Sequence, residues 1–154
     1  MQIPGEITTI ILSAVPFTEL RASIPVAMGI YKLSAFEAVF WSLAGSGLAT
    51  WMLLKLLGPV TAFLRGKVRF LDSFLAGIFD KTRSRVAGQY LKYGQWALVI
   101  FVAVPLPGSG FWTGSLIAFL FNIPITKAWL LIFLGLVLSA LLVVLATLGI
   151  FTIF

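Results

Sequence analysis

The sequence contains no cysteine and no histidine, and only 10% of its residues are charged. The first two absences exclude disulfides, thiol catalysis, a Cys/His metal site and a Ser-His-Asp triad. The third sets the class, because soluble domains carry roughly a quarter of their residues as charges. No position from 93 to 126 is charged, and none from 128 to 154. A helical span needs about 20 apolar residues, so both runs are long enough to cross a bilayer. With 60% hydrophobic residues, the chain reads as an all-α integral membrane protein. The opening M-Q-I-P-G-E has no positive n-region, and no A-x-A-like site follows the first apolar run, so no removable signal peptide is expected.

The net charge is +6, and most of it is concentrated in one place. Arg65, Lys67, Arg69, Lys81, Arg83, Arg85 and Lys92 stand against Asp72 and Asp80 in residues 60–92, a local charge of +5. A short basic connection between spans is the mark of a cytoplasmic loop. With membrane segments on both sides, this cluster suits a lipid surface rather than nucleic acid.

Function is sought first in P-F-T-E-L-R-A-S-I-P, residues 16–25, which sets Glu19 and Arg21 between two membrane-type runs. An ionised side chain at bilayer depth costs a few kcal/mol or more, so such a pair marks a site. Pro16 and Pro25 each remove a backbone donor and disfavour helix in the preceding residue, which predicts a bent segment. Broken backbone at membrane depth is tolerated only where it is buried in protein or lines a watery cavity.

The chain is expected to form one membrane domain over 1–154. Repeat one, 7–58, comprises a hairpin at 7–31 and a span at 34–57. A cytoplasmic amphipathic connector covers 60–92, with a helix from Val60 to Phe79 and a polar stretch at 81–94. Repeat two, 95–154, comprises a hairpin at 96–121, broken by V-P-L-P-G-S-G, and a span at 125–154. Gly45, Ser46 and Gly47 are small enough to let another helix approach closely. Ala14-Val15-Pro16 is matched by Ala103-Val104-Pro105 at an offset of 89, and Gly45 by Gly135 at 90. Paired broken segments in two halves point to a transporter site at the repeat interface. If the broken segments are re-entrant, the halves are inverted and Lys127 is cytoplasmic; if they cross, the halves are parallel and Lys127 is external. The mid-segment position of Glu19, Arg21, Pro105 and Pro107 favours re-entrant hairpins.

Glu19 suits a proton carrier, a cation ligand or the structural partner of a buried arginine. Arg21, two residues on, shares no helix face with it, but pairs with it in an extended turn or reaches polar groups of the other half. Opposite lies P-L-P-G-S-G-F-W-T-G, residues 105–114. Gly108 and Gly110 allow close backbone approach, Ser109 and Thr113 offer hydroxyls, and Trp112 an aromatic wall. A glycine turn feeding a helix exposes N–H groups that suit an anion, although the ATP-binding pattern G-x-x-x-x-G-K-[ST] is missing.

At these two motifs, with Gly29 after the first, the chain resembles the putative small multidrug export protein family, a distant relative of the DedA-type membrane proteins. The resemblance implies an inverted pair of units whose hairpin tips meet near the midplane, and transport without ATP. DedA relatives are implicated in moving lipid carriers such as polyprenyl phosphates and in resistance to cationic compounds. Here a P-G-S-G turn replaces the basic residues of their second hairpin.

The reading is a secondary transporter of the prokaryotic-type inner or plasma membrane, coupled to a proton or cation and exporting a small amphiphile. Its site residues are Glu19, Arg21, Pro16, Pro25, Pro105, Pro107, Gly108, Ser109, Gly110, Trp112 and Thr113. Arg65, Lys67, Arg69, Lys81, Arg83 and Arg85 face the membrane surface. Lipids are the partners, no cofactor is expected, and a homodimer is expected because so few helical layers enclose little. The alternatives are a lipid or polyprenyl-phosphate flippase and a structural membrane scaffold. An enzyme is disfavoured for want of a catalytic grouping.

Overall fold

A computed structural model of the chain describes residues 3–64, 69–105 and 108–153. These form α1 (Gly5–Ala14), α2 (Glu19–Gly29), α3 (Ala35–Leu64), α4 (Arg69–Tyr93), α5 (Trp96–Ala103), α6 (Phe111–Leu120) and α7 (Ile125–Ile153). The order short, short, long occurs twice, with α4 between.

Each break has a local cause. Val15 is extended before Pro16 (φ −81°, ψ 138°), and Val104 is extended before Pro105 (φ −75°, ψ 117°), as expected of residues preceding proline. After α2 the chain turns at Lys32 (φ 55°), and after α6 at Asn122 (φ 52°). Both turns close on the helix just left, through Leu33 N–H to the Ala27 carbonyl and Ile123 N–H to the Ala118 carbonyl. The long helix of the first half starts with S-A-F-E. Ser34 donates its N–H and hydroxyl to Glu37 Oε2 at 2.9 and 2.8 Å, and Glu37 N–H donates back to Ser34 Oγ at 3.2 Å, a reciprocal capping box.

The segments α1 and α2 form a helical hairpin. The start of α1 lies against the end of α2, where a Cβ on Gly5 would meet Tyr31 at 2.7 Å, and the tip spans 15–18. The hairpin packs on α3 through small residues. Gly45 lies against Ser13 and the Ile10 carbonyl, Ser46 Oγ donates to the Ser13 carbonyl at 2.9 Å, and the Ser23 and Ser42 hydroxyls share a 2.7 Å bond. The same crossing recurs in the second half, where a Cβ on Gly135 would meet Val102 at 2.7 Å and the Val99 carbonyl at 2.9 Å. Gly45 and Gly135 each lie ten residues into their long helix.

Gly47 faces Phe133, while Trp51 packs edge-on against Trp129 with centroids 6.2 Å apart. A step of four forward on α3 is therefore a step of four back on α7, so the two long helices pass antiparallel. Residues 35–63 and 125–150 are both apolar enough to cross a membrane, with mean hydropathies of 1.3 and 2.9. Their outward faces are apolar as well, with Phe36, Phe40 and Leu48 exposed on α3 and Leu130, Leu138 and Leu145 on α7. Such faces suit lipid rather than water.

The span expected at 34–57 continues to Leu64, through Pro59. The stretch at 81–94, expected as polar connection, is helical to Tyr93 as part of α4, and it ends at Gly94 (φ 58°), where glycine takes the left-handed geometry freely. The helix expected over Val60–Phe79 falls partly in α3 and partly in α4; its residues 65–68 lie outside those described. Tyr90 stacks on Phe121 at 4.0 Å, which holds α4 against the second half.

Candidate functional site

The tips of the two broken segments meet. Thr18 Oγ1 donates to the Leu12 carbonyl, and Glu19 N–H donates to the Val15 carbonyl at 3.1 Å, so the first tip is a tight turn. Glu19 takes φ 43°, a conformation that costs a non-glycine residue about 1–2 kcal/mol. Such strain persists only where the surroundings hold it, and here it turns the carboxylate toward the other half.

That carboxylate accepts the backbone N–H of Trp112 in the first turn of α6 and packs so closely on Gly110 that a Cβ there would fall on its oxygens. The first amides of a helix lack internal partners and carry the positive end of its dipole. The anion site expected at the glycine turn therefore receives Glu19 itself, which is buried at 6% exposure.

Arg21 also reaches the other half. Its Nη2 donates to Ser109 Oγ at 2.9 Å, and Ser109 Oγ donates to the Val104 carbonyl at 2.6 Å. Beside these contacts is a cavity of about 370 Å³, lined by Pro16, Phe17, Glu19, Arg21, Gly108, Gly110, Trp112 and Thr113. Ser109 is buried at its edge. Trp112 Nε1 and Ser115 Oγ, one turn apart on α6, are buried without a hydrogen-bond partner among the described residues.

Most of the residues expected from the two motifs thus converge. Pro25 instead lies inside α2, away from the cavity lining. With no N–H, it cannot complete the helix bond to the Arg21 carbonyl. Pro105 is exposed in the second break and does not line the cavity, and Pro107 lies outside the described residues. Of the expected surface residues, Lys81, Arg83 and Arg85 are exposed on α4, Arg69 opens that helix, and Arg65 and Lys67 lie outside the described residues. Phe17, 96% exposed and lining the cavity, was not singled out. Its position inside the first motif was the available signal.

Apolar long helices around a charged cluster shared between two broken segments define a helical membrane protein with a central polar site. The chain belongs to the putative small multi-drug export protein family, whose sequence model matches residues 19–142. The match begins at Glu19 and takes in Arg21 and Ser23 of the first motif and the whole of the second. No curated protein and no solved structure matches the chain.

Proposed function

We propose that the protein is a secondary transporter that exports a small amphiphile without ATP, with Glu19 exchanging a proton or cation as the substrate enters and leaves the cavity. The observation that carries this reading is the Glu19 carboxylate, buried on the α6 amides contributed by the other half. An ionised Glu19 holds the first tip on the helix terminus. Proton uptake cancels the charge that favours that contact, frees the tip and lets the cavity open to the other side. Pro16 and Phe17 offer the amphiphile an apolar wall, and Trp112 Nε1 and the Thr113 hydroxyl offer polar contacts.

Depth supports the reading. Ser46, against the first tip, lies eleven residues into α3, about 16 Å at 1.5 Å per residue, or half of a ~30 Å hydrocarbon core. The Gly135 crossing lies at nearly the same depth in α7. With α3 and α7 antiparallel, these favour two inverted units with re-entrant hairpins. The exposed basic residues of α4 support a connector, and with it Lys127, on the cytoplasmic side of an inner or plasma membrane. A homodimer is part of this reading, since Phe17 stands exposed on a tip at mid-depth.

The test uses purified protein in liposomes carrying a pH gradient, assayed in parallel for movement of a cationic dye and of a fluorescent lipid phosphate. Dye movement that follows the gradient and stops with a protonophore is the expected result. Lipid movement without dye flux would replace this reading with a flippase, and silence in both assays would overturn it in favour of a scaffold.

A further inference from the structure

Between α3 and α7, apart from the charged site, runs an open groove of about 410 Å³ lined by Gly47, Leu48, Trp51 and Trp129. Its walls are fixed rather than slack. Trp129 Nε1 donates to the Gly47 carbonyl at 2.9 Å, and its ring stacks on Phe133 at 5.0 Å. Trp51 packs edge-on against Trp129. The missing side chain of Gly47 lets Phe133 pack against α3, where a Cβ would stand 3.1 Å from its ring.

One end of this groove is basic. Lys55 Nζ stands 4.8 Å from the centre of the Trp51 ring. Lys127 is two residues before Trp129, on another face of α7, and the antiparallel passage of the helices brings it to the same end. No acidic residue lies on α7, and Glu37, the acidic residue of α3, is near that helix's far end. Lys55 follows Ala35 by twenty residues, about 30 Å of helix, which is the thickness of the hydrocarbon core. Both lysines therefore stand at the polar boundary, where lysine stems and tryptophan rings prefer to lie, while the groove descends about 12 Å along α3 toward Gly47.

We propose that this groove binds an anionic phospholipid, with one acyl chain lying over Gly47 and Leu48 alongside the packed tryptophan pair and the phosphate held by Lys55, Lys127 adding positive charge at the same boundary. Charge selects the occupant. A zwitterionic headgroup brings a cation of its own to the two lysines. A second copy of the chain, related by a two-fold axis, would set the same lysines against each other. The site depends on the membrane location of the chain and not on the transport mechanism, so either can fail without the other.

The test places the full-length protein in phosphatidylcholine vesicles containing increasing fractions of chain-brominated phosphatidylglycerol or chain-brominated phosphatidylcholine. Tryptophan fluorescence is recorded for the wild type and for Trp51→Phe, which isolates the groove's share of the quenching. A juxtamembrane lysine contributes about fivefold in affinity for an anionic surface. The Trp51-dependent quenching is therefore expected at a severalfold lower fraction of the anionic lipid than of the zwitterionic one. Lys55→Gln with Lys127→Gln should abolish that preference, and Arg83→Gln with Arg85→Gln should keep it. Equal quenching by the two lipids overturns the proposal, as does a preference that survives loss of both lysines. A preference lost only with the α4 arginines also overturns it, because the lipid would then sit on α4.

Discussion

Glu19→Gln is expected to abolish gradient-driven flux in liposomes while leaving the protein folded, and Gly110→Ala is expected to reproduce that loss with the carboxylate still present. Glutamine keeps the shape of the side chain and an oxygen for the Trp112 N–H, so the protein folds, but like protonated glutamate it lacks the charge that favours the contact with the α6 terminus. It carries no charge and exchanges no proton, so the step that depends on ionisation is lost. In Gly110→Ala the new methyl occupies the position of the Glu19 carboxyl group, which must then leave the α6 terminus.

Gly108→Ala provides the comparison. A Cβ there meets nothing within 4 Å, but φ is +79°, so the cost is backbone strain of about 1–2 kcal/mol without displacement of Glu19. Its flux should fall much less than that of Gly110→Ala. Equal losses in the two glycine variants would show that turn geometry matters and the carboxylate position does not. Wild-type flux in Glu19→Gln would remove Glu19 from the mechanism altogether.

The second large effect is on stability. Gly45→Val and Gly135→Val each force a branched side chain into a crossing that has no room for one carbon. At Gly45 the obstacles are Ser13 Oγ and the Ile10 backbone; at Gly135 they are the Val102 side chain and the Val99 carbonyl. Backbone atoms cannot swing aside, so the helices must separate. Overpacking of this kind costs about 1–3 kcal/mol, and each variant should show a clearly lowered unfolding temperature in detergent. Gly77→Ala in α4 meets nothing within 4 Å, and replacing a mid-helix glycine by alanine gains about 0.5–1 kcal/mol. It should unfold no earlier than the wild type. If Gly45→Val and Gly135→Val were as stable as Gly77→Ala, the two crossings would not be the close contacts described.

Several of these features were legible from residue types alone. Pro16 and Pro105 marked both breaks because proline acts locally, through its own ring and on the residue before it. Gly45 and Gly135 showed themselves by position, small residues at matched places in two apolar runs. The capping box of Ser34 and Glu37 is also written in the sequence as S-x-x-E. The 81–94 stretch is read as connection from its polarity, yet α4 continues to Tyr93, because its residues need only an exposed face and a packing partner such as Phe121. The left-handed geometry of Glu19 had no sequence signal. It is imposed by α6, ninety residues away in the chain, and nothing in T-E-L indicates which way the carboxylate turns. For the same reason, the spacing of Glu19 and Arg21 could not show that both also reach across to the other half.

The hydrogen bond from Arg21 to Ser109 joins residues 88 positions apart. At 5–20 residues per second of synthesis, roughly 4 to 18 s separate the emergence of the two partners. During that interval the first hairpin has its arginine and its glutamate but neither the hydroxyl nor the helix terminus that later receives them. Both charges must wait in water or in the insertion machinery, because the bilayer interior penalises them unpaired. The first hairpin therefore gains these partners only after α6 has been made, and the polar centre cannot be complete until late in synthesis.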